Sequence, residues 1–104
     1  MRNLRQIFMT KVIGLCTLTL HLPESTSLKH KRSTVKSILA KLHNKFNVSA
    51  AETDHLDKWQ LAEIAFALVS NSTSHANQVI FTAMEWVEVN YPEALITKHD
   101  IEIL

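Results

Sequence analysis

From Val12 to Leu22 the chain alternates. Val12, Gly14, Cys16, Leu18, Leu20 and Leu22 fall on one face, and Ile13, Leu15, Thr17, Thr19 and His21 on the other. A period of two with both faces largely apolar predicts a central strand. Pro23 ends it, and Glu24-Ser25-Thr26-Ser27 supplies a turn with several potential helix caps. Beyond the turn the period changes. Leu28, Val35, Ile38, Leu39, Leu42 and Phe46 lie within an arc of about 100° on a helix turning about 100° per residue. Ser25 to Phe46 therefore reads as one amphipathic helix, with Ser27 directly before its first apolar position.

Asn47 to Glu52 is short and alternating, and reads as a strand. Thr53 to Asp57 is a polar connection. Trp59 to Val69 is a second long strand: Ala62, Ile64, Phe66 and Leu68 face one way, and Leu61, Glu63, Ala65, Ala67 and Val69 the other. Ser70 to Ser74 is a turn-and-cap cluster. A second helix follows from Ser74 to Asn90, with Ala76, Val79, Ile80, Ala83 and Val87 on its core stripe and Phe81 and Val89 off it. Pro92 stops that helix, and Leu95 to Leu104 forms the last strand. The fold class is α+β. Right-handed crossovers and adjacent packing favour the ferredoxin-like βαββαβ arrangement: a four-stranded antiparallel sheet, ordered last, first, third, second, with two helices on one face.

A chain of 104 residues is one domain by size. Residues 10–104 form the ferredoxin-like domain, and residues 1–9 an N-terminal extension before or at a second possible start, Met9. Arg2, Arg5 and Lys11 ahead of an apolar run resemble a signal-peptide plan. Thr17, Thr19 and His21 interrupt that run, however, and no small-x-small cleavage site follows. The run is also shorter than the ~20 apolar residues that span a bilayer, so a strand is the better expectation. Cys16, the single cysteine, excludes an internal disulfide framework and fits a reducing compartment.

Charge changes the picture more than composition does. The net charge is +1, yet residues 28–46 hold six Lys and Arg and no acid, while residues 52–104 hold nine acids against Lys58 and Lys98. Lys29, Lys31 and Arg32 lie in the first turns of the helix, where the dipole disfavours cations by about 0.3–1 kcal/mol each. An acidic neighbour or a bound anion would compensate. A basic face of this kind is either a solvated surface neutralised by the chain's own carboxylates, a contact for RNA phosphate, or a dock for an acidic protein. The candidate nucleic-acid or anion contacts are Lys29, Lys31, Arg32 and Lys36.

Other chemistry is sparse. Glu52, Asp54, His55 and Asp57 match no metal spacing and read as a turn with capping carboxylates. The outer sheet face, with Leu15, Thr17, Ala65, Ala67 and Val69, suits solvent or a subunit contact, and His21, Glu63 and His99 could cluster there. Cys16 reads as an inert packing residue. There is no Gly-rich loop, nucleophile elbow or Cys/His zinc spacing, so no cofactor or metal is implied and an enzyme is the least supported class.

Four segments in this order resemble the YlxP-like family of small bacterial proteins of unknown function. They are Val12-Ile13-Gly14 continuing to His21-Leu22-Pro23, then Ser27-Leu28-Lys29-His30-Lys31-Arg32, then Phe46 to Glu52 with Asp54-His55, and Trp59-Gln60 followed by Val69-Ser70-Asn71. The resemblance covers about residues 10–104. It implies a ferredoxin-like domain in the bacterial cytoplasm, encoded near translation and ribosome-maturation factors, with no agreed catalytic residues. The family's Ser-Leu-Lys-x-Lys-Arg motif falls on Ser27, Leu28, Lys29, Lys31 and Arg32, with His30 where an acid is common. The expectation is a non-enzymatic binding protein for RNA or a ribosomal particle. The alternatives are a homo-oligomer associating through the sheet and a small-anion binder at the start of the first helix.

Overall fold

The computed structural model describes residues 11–104. The extension expected at residues 1–9 lies outside the described residues. The elements are β1 (Val12–His21), α1 (Leu28–Phe46), β2 (Ser49–Asp54), β3 (Leu61–Ser70), α2 (Thr73–Asn90) and β4 (Leu95–Ile103). The sheet runs β2-β3-β1-β4, every pair antiparallel. This is the ferredoxin-like order expected from the alternation pattern, and β1 and β3 hold its centre.

Boundaries moved where local chemistry overruled periodicity. α1 begins at Leu28 because Ser27 caps it: the Ser27 hydroxyl accepts from His30 N–H at 3.0 Å. Asn47 ends it in the left-handed region at φ 53°, which Asn tolerates, so β2 starts two residues later than its alternation suggested. Trp59 and Gln60 stay in the loop before β3, and the Gln60 carbonyl accepts from Leu22 N–H at 2.9 Å.

The core lies between the sheet and the two helices. Cys16, Leu18, Leu20, Ile64 and Phe66 from the central strands meet Val35, Ile38 and Leu42 of α1 and Ala76, Ile80, Ala83 and Val87 of α2. Gly14 sets the seat of α2. A Cβ there would stand 3.3 Å from the Ala76 Cβ and 3.1 Å from the Ile80 Cδ1. The helices meet at Tyr91, whose hydroxyl is 2.7 Å from the Ser37 hydroxyl and whose ring packs edge-on to Trp86.

One charge lies inside this core. Lys31, expected among the surface cations, has no solvent exposure. Its Nζ donates to Glu52 Oε2 at 2.9 Å, to the His55 carbonyl at 2.8 Å and to the Leu61 carbonyl at 3.3 Å. An ammonium has three donors, and all three are used. At about 100° per residue Lys31 sits only about 40° from Val35, inside the apolar arc, so the helix itself forces it inward. The compensating acid is Glu52 of β2, in the acid-rich stretch that follows α1. His55 adopts φ 60°, a left-handed conformation held by Asp54 Oδ1 accepting from His55 N–H at 2.7 Å. Lys31 thus ties α1 to the β2–β3 loop and to the start of β3.

Removing one partner of a buried pair strands the other charge, at a typical cost of about 3–5 kcal/mol. Glu52→Ala is expected to destabilise by about 3 kcal/mol in urea titration. The double variant Lys31→Met, Glu52→Leu should recover a large part of that loss, because no charge is left buried. Cys16 provides a second check. Burial, and secondarily the Asp100 carboxylate, push its thiol from 9.0 up to about 12. The folded thiol keeps its proton where the unfolded one has lost it, so stability should fall as pH rises from about 9 toward 12. Iodoacetamide at pH 8 should label Cys16 in urea and spare it in the native protein.

Candidate nucleic-acid interface

With Lys31 inside, the exposed charge of α1 divides into two flanks. Lys29, Arg32 and Lys36 are exposed and fall within about 60° of one another around the helix. Lys29 and Lys36 are seven positions apart, about 10.5 Å along the axis. His43 continues this flank and is anchored by its Nδ1, 2.9 Å from the Val48 carbonyl oxygen. α1 packs over β2, so the row stands above an open sheet edge rather than between the helices. Lys41 and Lys45 lie on the other flank, over the rings of Tyr91 at 5.6 Å and Phe46 at 5.9 Å.

The row is not neutralised by the chain's own acids. Among the described residues the Lys31–Glu52 contact is the one ion pair, and residues 1–10 contain no Asp or Glu. The structure therefore places three of the four candidate cations, Lys29, Arg32 and Lys36, in a single surface row and assigns the fourth to the core. The sequence signal that separates Lys31 from the others was its position in the apolar arc.

The helix start offers little to a small anion. A depression of about 170 Å³ beside it is lined by Leu22, Glu24, Ser25, His30, Thr34 and Glu93, so two carboxylates face any incoming negative charge. The His30 N–H is already spent on Ser27, and the His30 Nδ1 accepts from Thr26 N–H at 3.4 Å. The suggested cluster of His21, Glu63 and His99 does not form. His99 registers with Leu18 and so belongs to the helix-facing side, while Glu63 accepts from the Thr53 hydroxyl at 3.2 Å. Among the described residues no group of three or more His, Cys, Asp or Glu side chains could hold a metal ion, and no helix is long and apolar enough to cross a membrane.

Comparison with known proteins agrees with this architecture. The chain is 32% identical over 82 residues to the uncharacterized protein YlxP of Bacillus subtilis, an alignment covering 79% of this chain and 88% of that one. A dimeric ferredoxin-like protein of unknown function from Thermobifida fusca superposes with a TM-score of 0.53 at 11% identity, covering 100% of this chain and 97% of that one. A de novo designed protein with a ferredoxin fold gives a TM-score of 0.55 at 11% identity, covering 88% and 84%. The model of the family described as "Protein of unknown function (DUF503)" matches residues 13–101, and the chain belongs to that family.

Proposed function

We propose that this protein is a non-enzymatic binding protein that contacts the phosphate backbone of RNA, on a ribosomal particle, through Lys29, Arg32 and Lys36. One observation carries the reading: three exposed cations share a helix flank that no carboxylate of the described residues neutralises. Such a row recognises regularly spaced phosphates by charge and reads no bases. The family's association with translation genes favours RNA over an acidic protein. No cofactor enters this reading, and the cellular site is the cytoplasm.

A second reading is a structural or regulatory homo-oligomer. Both helices pack on one side of the sheet, and among the described residues nothing covers its other side, where Ile13 and Val69 are exposed. The Thermobifida fusca protein of the same fold is described as dimeric. The two readings use different surfaces and are compatible.

Replacing Lys29, Arg32 and Lys36 together by Gln should weaken binding to single-stranded RNA. It should also lower the slope of log affinity against log salt by about 2, from three lost contacts at about 0.7 each. Lys58→Gln, in the β2–β3 loop, should leave both unchanged. Anisotropy titrations between about 50 and 200 mM salt measure the slope. Co-sedimentation with ribosomal particles that is insensitive to salt, and equal for wild type and the triple variant, would overturn the RNA reading.

A further inference from the structure

The uncovered sheet face has an ordered composition. At one end Ile13, Val69 and Leu104 form an apolar row, exposed by 44%, 74% and 62%. The next rows pair Leu15 with Ala67 and Thr17 with Ala65, with Ala51 beyond Ala65 on β2. Small side chains therefore occupy the middle. The following row carries Glu63 on β3 opposite Thr19, with Asp54 on β2 at one edge and Lys98 on β4 at the other. Four strands about 4.8 Å apart and these four rows about 6.8 Å apart give a footprint of roughly 19 by 27 Å. That is close to what one partner of a standard-size interface contributes, about 800 Å² of accessible surface, since a corrugated face exceeds its flat projection. Among the described residues nothing covers the apolar end of this face, Ile13, Val69 and Leu104, and a subunit contact would take it out of water.

From this face we infer a symmetric homodimer in which two sheets pack face to face about a two-fold axis that runs parallel to the strands, midway between β1 and β3. The inference rests on the homo-oligomer reading and specifies its geometry. With that axis β3 lies over the partner's β1, and β2 over the partner's β4. Ala65 then meets the partner's Thr17, Ala67 meets the partner's Leu15, and Val69 meets the partner's Ile13. The small central residues let the sheets close to the usual separation of about 10 Å. Asp54 lies opposite the partner's Lys98 and Glu63 one strand away from it, so two symmetry-related charge clusters flank the contact, while Asp100 and Glu102 meet the neutral residues Ala51 and Ser49. An in-plane axis perpendicular to the strands, through the Thr17 row, instead stacks Asp100 on the partner's Asp100 and sets the Ile13 row against the His21 row. Charge and apolar match both select the first arrangement.

Sedimentation equilibrium of the full chain tests this. The wild type should be a dimer at micromolar concentration, and Ala65→Arg should be a monomer with an unchanged circular-dichroism spectrum. Glu63→Lys and Lys98→Glu should each weaken the dimer about tenfold, and Lys98→Arg should leave it unchanged, because the cation opposite the partner's Glu63 and Asp54 is kept. A wild type that stays monomeric at ~100 μM, or an Ala65→Arg variant that stays dimeric, would overturn association through this face. A monomeric Ala65→Arg variant together with charge reversals that leave the dimer constant unchanged would overturn the proposed axis while leaving the sheet contact in place.

Discussion

A lysine ammonium enclosed by protein must find three acceptors or lose its charge, and this requirement shapes one end of the molecule. Lys31 meets it with a carboxylate from β2 and two carbonyls that bracket the β2–β3 loop. The carbonyls can only converge if the loop doubles back, and His55 takes a left-handed conformation to allow it. α1, the loop and the first residue of β3 are thereby held in one arrangement. A salt bridge of this kind adds little net stability against an apolar pair of the same shape, because desolvation offsets the attraction. What it does supply is register: a one-residue shift of β2 would turn Glu52 to the other face and leave the ammonium unpaired.

The same constraint sorts the charges of α1. Six cations without an acid on one helix would repel each other around its whole circumference. Taking one inside, and laying two over aromatic rings, leaves Lys29, Arg32 and Lys36 as a single row on the flank above the sheet edge. The charge imbalance between the basic helix and the acidic remainder is thus only slightly reduced within the chain. One flank of α1 keeps a positive surface facing out, and the open sheet face keeps an apolar end at Ile13, Val69 and Leu104. An RNA contact and a subunit contact would use opposite sides of one thin domain without competing.

Much of this was legible beforehand, for physical reasons. β1 and β3 are flanked on both sides by other strands, so strict alternation of Leu18, Leu20, Ile64 and Phe66 specified them and their pairing. α1 and α2 announced themselves by their apolar stripes and their Ser caps. The edge strand β2 was less well bounded, because half-exposed Ala and Ser carry a weak pattern and a left-handed Asn47 displaced its start. The expected cluster sets His99 on the outer face with His21 and Glu63, although it shares the alternation of Ile101 and Ile103 and therefore lies on the helix-facing side, opposite Leu18.

The sequence by itself determined the topology, the core stripes and the concentration of positive charge on one helix, because periodicity, caps and breakers are local properties. It also carried the position of Lys31 inside an apolar arc, although residue type argued for solvent. Only the tertiary structure decided which cations remain on the surface. Burial of Lys31 depends on Glu52, twenty-one residues away, and on two loop carbonyls that no local pattern encodes. The motif that first looked like four equivalent basic contacts is one core lock and a three-residue row, separated by where the sheet lies beneath the helix.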